Sequence, residues 1–562
     1  MKKVILYVII FLMIGTQLVS GFTVEKNTLE EKNIESESNL PSNFSWTDIN
    51  GVDYTTPVRD QRPYASCETF AYVAALETMV QYKVGFPFGC DLSEAHLYFW
   101  SGGNRDWGSY PENDTNFLVD FGVPDEACWP YPGDLDEPVV FPKNTTCDNW
   151  QSRTVKIKNW SYLPPNDITE IKKSLINNGP VPTHFHVYKD FHYYKKGVYR
   201  HIYGRSLGLH LVCIMGYKDD PSIPSGGYWI VKNSWGKEWG NNGWFNIAYG
   251  EGSIEEMPVL LKGVYGSFPI LYVDDDNTCG PWDGSKENPY KSIQNAVDNA
   301  YTGSTVYVKN GTYQENIVIN KTINLYGENK KETIIDGKSK KDVIYVHSPD
   351  VKISGLKILN SGEKRLDSGI KTLSLNSNLT VKNCIVKNCD VGIYLNCMDF
   401  DSHPTSYNKI VNNTIIENNI GIFSLWARNN IIKENTISNN RLFGIEFEAN
   451  KFSNIQDNVF ENNKDTAIYL HGSSDENKIT KNKFVNNSIG INLKETKKNS
   501  INYNHFIDNE IHATFDQSIK NNWNKNYWSS SKGFLPYPIK GKVTNLGINW
   551  YNFDWMPLQK LI

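Results

Sequence analysis

The sequence predicts two architectures in tandem, an α+β domain followed by a right-handed parallel β-helix, within 562 residues. Two observations predict it. The first is a helix-forming stretch that begins at Ser66 and is followed by long apolar runs of strand-like composition. The second is a repeat of 22 to 24 residues late in the chain, in which asparagines recur in register with short β runs. A period of that length makes one coil of three short strands, and stacked coils bury a core that no single coil could enclose.

Taken in order, the chain starts with Lys2 and Lys3 ahead of an apolar run over 4–13 that continues to Leu18. That pattern predicts an export signal over 1–21, with an uncleaved amino-terminal anchor as the alternative. Residues 22–40 are expected to be an acidic, polar linker. No later segment is long and apolar enough to cross a membrane as a helix. A net charge of −5 argues against a nucleic-acid partner, while 40% hydrophobic residues can fill substantial cores.

Residues 58–77 read V-R-D-Q-R-P-Y-A-S-C-E-T-F-A-Y-V-A-A-L-E. Pro63 breaks any helix in the first half; from Ser66 onward, Phe70, Val73, Ala74 and Glu77 fall at helical spacing. Ser66 is the expected cap, which puts Cys67 on the first turn, where unpaired N–H groups and the helix dipole favour negative charge. A thiol there loses its proton more readily, and the thiolate is the form that attacks carbonyls. Gln61 can aim its amide at the same point and, with the Cys67 N–H, cradle a tetrahedral oxyanion. Downstream, L-G-L-H-L-V-C-I-M-G-Y over 207–217 carries His210 as a candidate base. Asn233 ends a strand and opens a Gly/Trp-rich turn within 228–247, where it could orient that base.

These segments resemble the papain family of cysteine peptidases over residues 41–266, in the family's order Gln, Cys, His, Asn. The 143 positions from Cys67 to His210 fall within the family's span of about 130–150. The 166 positions to Asn233 are slightly beyond it. The resemblance implies a domain with a helical left half and a β-barrel-like right half. It also implies that Gln61 assists the oxyanion, Cys67 attacks, His210 is the base, Asn233 fixes the imidazole and Trp235 shields their hydrogen bond. By the same resemblance Gly108 pairs with extended substrate, while His184, Leu209 and Leu211 border the pocket for the second residue before the scissile bond. Such a pocket would be apolar and tolerant of acidic side chains when His184 is charged. Residues 40–46 resemble the family's mature start, so no folded prodomain is expected.

Two departures stand out: Tyr64 replaces a family cysteine, removing one family disulfide, and Glu68 replaces a tryptophan. A carboxylate beside Cys67 raises the thiol's pKa, so a weaker thiolate than the family norm is expected. His186 and His192 read as surface or wall histidines, and His-x-His without a third partner is no metal site. No cofactor or metal is expected. With nine cysteines, Cys67 is the natural unpaired one if the rest pair. Cys128 and Cys147 flank a Pro/Gly/Asp loop and could bridge; Cys213 lies in an apolar strand and reads as a buried thiol.

After about Pro269 the composition shifts. A helix-like S-I-Q-N-A-V-D-N-A precedes short β runs with Gly-Thr-Tyr turns, which resembles the start of pectate-lyase-like parallel β-helices. Asparagines align at Asn383, Asn413, Asn435, Asn458, Asn482 and Asn504, and again at Asn388, Asn418, Asn440, Asn463, Asn487 and Asn509. Ile410, Ile432, Ile455, Ile479 and Ile501 are the expected interior stack. Roughly ten coils at about 4.8 Å each make a rod on the order of 50 Å. The β-helix is expected over 267–520, with an aromatic cap over 521–562. Asp399, Asp401 and His403 share one long loop that reads as solvated.

The sequence therefore predicts an exported cysteine endopeptidase, secreted or at the cell surface. Its substrates would be proteins or peptides, and the rod would be a scaffold or glycan-binding module that meets a cell surface or cell wall. Three alternatives compete: a surface adhesion protein with an inactive peptidase-like domain, acyl transfer to an amine, and polysaccharide processing on the β-helix.

Overall fold

The computed structural model describes residues 40–103, 108–132, 147–373, 377–397, 406–531, 535–543 and 548–558. The expected export signal and nearly all of the linker lie outside the described residues, as do Asp399, Asp401 and His403. No described helix is long and apolar enough to cross a membrane.

The first domain opens with β1 (Asn43–Ser45), then α1 (Cys67–Val84), α2 (Glu94–Trp100) and α3 (Pro111–Asp120). Every side chain of α1 from Thr69 to Gln81 is buried, so this helix is the spine of the domain rather than a surface element. It stops at Gly85, whose φ of 98° is the left-handed conformation that a side chain resists. Ser66 holds the cap position, but its hydroxyl bonds the Tyr131 hydroxyl at 2.7 Å and caps nothing. The expected second helix has a true cap, because Ser93 Oγ accepts from the His96 N–H.

The other half is built from β2 (Val155–Tyr162), α4 (Ile168–Asn177), β3 (Val181–Tyr188), β4 (Val198–Tyr199), β5 (Ser206–Asp219), β6 (Gly227–Lys232), β7 (Trp244–Ala248) and β8 (Val259–Gly266). The main sheet runs β1-β5-β6-β7-β4 with β3 also on β5, and β2 pairs with β8. Strand β5 is shared by two cores. Leu211, Cys213 and Met215 face α1, whereas Val212, Ile214 and Tyr217 pack with Phe185, Trp229 and Phe245.

The second domain is a parallel β-solenoid whose described strands form three sheets of 11, 10 and 11. Parallel crossovers of this kind are right-handed. The helix α5 (Ile293–Asn299) closes its first end by burying Ile293, Ala296 and Val297 in the solenoid core. Ile410, Ile432, Ile455, Ile479 and Ile501 are all fully buried in one stack. Each asparagine of the ladders accepts from the same position one coil earlier and donates to a carbonyl there. Asn482 Oδ1 takes the Asn458 N–H at 3.0 Å, and its Nδ2 gives to Ile455 O at 2.8 Å.

Two expected ladder members are displaced. Cys384 and Cys389, not Asn383 and Asn388, donate backbone N–H groups to Asn413 and Asn418. Asn383 and Asn388 take the positive-φ turn position just before, which asparagine tolerates. A third ladder also exists, running Asn408, Asn430, Ser453, Asn477, Asn499 and Asn521. The strands continue past the expected boundary at 520 through Trp528, and an antiparallel hairpin then covers the last coil. There Asp554 accepts the Asn526 N–H and Nδ2 at 2.9 and 3.0 Å, standing where a next coil's asparagine would be.

The two domains touch. Phe86, just beyond α1, stacks on Tyr326 at 4.8 Å, and the Thr305 hydroxyl donates to Phe88 O at 3.3 Å. Arg153 pairs with Asp125 and lays its guanidinium over Tyr301 at 4.4 Å.

Replacing Asn482 by alanine removes the acceptor of the Asn458 N–H and of an Asn458 Nδ2 hydrogen in a dry interior, at about 1–3 kcal/mol each. Urea unfolding of that variant is expected to show a loss of about 2–6 kcal/mol, against about 0.5 kcal/mol or less for the exposed Lys494→Ala. A loss under about 1 kcal/mol at Asn482 would contradict a structural role for the ladder.

Candidate active site

The loop before α1 and the loop after β6 are tied together, which brings the two halves of the domain face to face. Gln61 N–H donates to Ser234 O at 2.9 Å, and Gly236 N–H donates to Arg59 O at 3.0 Å. Tyr131 donates its hydroxyl to Gln61 O at 2.5 Å while sharing a bond with Ser66 Oγ. Tyr64 makes edge-on contacts to Phe99 and Tyr131 at 5.5 and 6.1 Å. Aromatic packing thus holds the strip ahead of Cys67.

Cys67 is the first residue of α1. His210 shares the parity of Val212 and Ile214 on β5, opposite Phe185 of β3, and is buried. Its Nε2 lies 2.8 Å from Asn233 Oδ1. That oxygen also accepts the Ser234 N–H at 2.8 Å, so the amide orientation is determined and Nε2 carries the proton. The lone pair of the neutral ring is therefore on Nδ1. Trp235 stacks on His210 at 4.9 Å with planes 28° apart, and His192 stacks on the other side of Trp235 at 5.1 Å.

Gln61 is held at both ends of its amide: Oε1 accepts from Ser234 Oγ at 2.7 Å and Nε2 donates to Tyr64 O at 3.3 Å. One Nε2 hydrogen remains for another acceptor. Ser234, next to Asn233 in the N-S-W triplet, is the residue the sequence reading missed; it orients Gln61 and Asn233 alike.

Gly108 has a φ of 79°, and a Cβ there would come within 2.9 Å of Ala65 O. Leu209 is 59% exposed opposite His186, whereas Leu211 is buried under α1 opposite His184. The two leucines that the sequence sets together as pocket walls share one face of β5, but Leu211 is packed under α1 while Leu209 lies at the surface. Cys128 and Cys147 are joined by a disulfide, and Cys90, Cys213, Cys384 and Cys389 are buried thiols. The bridge joins the two cysteines that flank the loop, and Cys213 is a buried thiol within its apolar strand. Among the described residues no group of three or more His, Cys, Asp or Glu side chains could hold a metal ion.

Electrostatics set the resting protonation. Burial, and after it the Glu68 carboxylate, push the Cys67 thiol well above its ordinary range. The thiol donates to Glu68 Oε2 at 3.2 Å. Burial pulls His210 down to about 4, against the opposing pull of its bond to Asn233. At neutral pH the free protein therefore holds a neutral thiol and a neutral imidazole. Behind Asn233, a cavity of about 10 Å³ is lined by Glu77, Glu94, Arg59 and Lys232. Burial and then Asp91 raise Glu77 there to about 7.

Residues 40–261 match the family model described as "Papain family cysteine protease", and 297–541 match one described as "Periplasmic copper-binding protein (NosD)". Cathepsin B-like CP3 of Giardia intestinalis is 47% identical over 217 residues, covering 36% of this chain and 68% of that protein. Cathepsin C of Schistosoma mansoni is 30% identical over 264 residues, covering 43% of this chain, which spans only 56% of that protein's length. The bromelain protease of Ananas comosus is 25% identical over 40% of this chain and 99% of that chain, with a TM-score of 0.33.

A raised thiol and a lowered imidazole make iodoacetamide labelling of Cys67 in the free protein slow near pH 6. The rate is expected to climb steadily toward alkaline pH as the thiolate fraction grows. A flat, fast rate from pH 6 to 9, measured peptide by peptide with mass spectrometry, would mean a preformed thiolate and refute this electrostatic account.

Proposed function

The chain belongs to the papain family of cysteine proteases, and on that premise we propose that it is an exported cysteine endopeptidase working through Cys67, His210, Asn233 and Gln61. The observation that carries the reading is the His210–Asn233 bond beneath Trp235, because it leaves Nδ1 as the acceptor on the ring. Cys67 gives its proton to His210 Nδ1 and the sulfur attacks the peptide carbonyl. Gln61 Nε2 and the Cys67 N–H stabilise the oxyanion, and the imidazolium protonates the leaving amine. Water activated by His210 then frees the acyl group. Asn233 keeps the ring in the working tautomer throughout.

Export is supported by the pattern of residues 1–21 and by the word "periplasmic" in the description of the family that the second domain resembles. The rod would hold the peptidase at a cell surface, with a wall glycan as its partner. Copper is not carried over from that description, since the described side chains assemble no site for it. A weakly active, adhesive protein is the second reading. It is favoured by one observation, the thiol bonded to Glu68 rather than ionised.

Casein cleavage by the full chain tests the reading. Cys67→Ser and His210→Ala are each expected to remove at least about 10³-fold of kcat/KM, and Gln61→Ala about 10²–10³-fold in kcat. Cleavage that survives in Cys67→Ser would end it. Full-chain Cys67→Ser should also sediment with cell-wall polysaccharide, and if it stays in the supernatant the glycan partner is wrong.

A further inference from the structure

Glu68 is the side chain that the mechanism above leaves without a task, and it lies beside the nucleophile. Its Oε2 holds the Cys67 thiol at 3.2 Å, and its Oε1 is 3.9 Å from His184 Nε2, beyond hydrogen-bond reach. Gly108 lies close above it: a Cβ on that residue would stand 3.4 Å from Glu68 Oε2. The carboxylate is only 13% exposed, and among the described residues His184 is its one ionic neighbour within 4 Å. His184 Nδ1 is itself buried without a hydrogen-bond partner among the described residues. Asp114, Tyr72 and Tyr98, which also lie in the field of Glu68, add no positive charge, and His210, which lies in it too, is held down by burial in the resting protein.

A carboxylate offers about four acceptor sites, and a thiol is among the weakest donors available to fill one. A guanidinium or ammonium makes a charge-assisted bond roughly twice as strong as a neutral one. We propose that Glu68 forms the floor of a subsite between Gly108 and His184 that takes the lysine or arginine side chain of a peptide substrate, and that this cation releases the Cys67 thiol from its resting bond. The inference rests on the peptidase reading of Cys67.

The consequences follow from charge. A bound cation takes over Glu68 Oε2 and neutralises the field that opposes ionisation of the sulfur. The S–H bond then breaks toward His210 Nδ1, leaving a thiolate and an imidazolium, with proton and charge conserved. Acidic side chains are repelled, the opposite of what the sequence implies for a pocket beside a charged His184. The correct substrate thus assembles its own nucleophile, and water or small neutral thiol reagents meet a protonated sulfur.

The test uses the full chain and two methanethiosulfonate reagents of similar size, one bearing an ammonium and one a sulfonate. Modification of Cys67, read by peptide mass spectrometry, is expected to favour the ammonium reagent at least 10-fold over the ratio seen with free 2-mercaptoethanol. In Glu68→Gln that excess should vanish, and labelling by neutral iodoacetamide should quicken. Peptides varied at the first and second residues before the scissile bond should show at least a 10-fold kcat/KM preference for arginine or lysine over norleucine, lost in Glu68→Gln. A wild-type reagent ratio equal to that of 2-mercaptoethanol overturns the proposal without needing any variant to fold. Peptide cleavage with no charge selectivity overturns this inference alone. Charge-selective labelling with no cleavage supports the cationic subsite and overturns the peptidase reading.

Discussion

The two-sided use of β5 is the constraint on which the first domain depends. Alternate residues of this strand belong to different cores, with Leu211, Cys213 and Met215 under α1 and Val212 and Ile214 inside the barrel-like half. A slip of one residue would exchange the two sets. It would also carry His210 out of reach of Asn233 and Trp235, since both belong to the side that Val212 and Ile214 face. The site between the halves therefore inherits its geometry from hydrophobic burial several residues away. The bonds from Gln61 to Ser234 and from Gly236 to Arg59 then close the halves against each other.

Within that frame the resting state is electrostatically quiet. Burial acts in opposite senses on the two titrating partners, raising the thiol and lowering the imidazole, because in each case it opposes the charged form. Glu68 reinforces the first effect and opposes the second. A tryptophan at that position could contribute neither. The protein has thus exchanged an apolar neighbour of its sulfur for an acceptor, and the thiol hydrogen bond records the exchange.

The solenoid solves a different problem. Its turns bury backbone N–H groups that no strand ladder can reach, and an unpaired buried N–H is costly. Asparagine supplies an acceptor and a donor without net charge, so a column of them satisfies each coil from the next. The column must end somewhere. It ends on Asp554, whose carboxylate accepts from Asn526 and from the Trp528 indole and so finishes the series without another coil. At the other end, α5 and the contacts of Phe86 and Phe88 with Tyr326 and Thr305 cover the first coils.

The sequence by itself determined the two architectures, because the helical spacing after Ser66 and the 22-to-24-residue period are one-dimensional signals of elements that pack locally or by repetition. It also made Gln61, Cys67, His210 and Asn233 legible as candidates, through the spacing of their motifs. It misread the start of the asparagine columns by one residue, since Asn383 and Cys384 differ only in which one the turn points inward. It could not see the third ladder's continuity through Ser453, where the residue type changes but the acceptor does not. Only the tertiary structure decided that Leu211 is covered by α1 while Leu209 on the same face of β5 stays exposed, that Ser234 orients Gln61, and that the thiol leans on Glu68. Those outcomes depend on which groups lose water together and which donors meet across the gap between two halves. The Gln61–Ser234 bond joins residues 173 positions apart, and even the bond between the adjacent Cys67 and Glu68 depends on how the surrounding packing turns the two side chains.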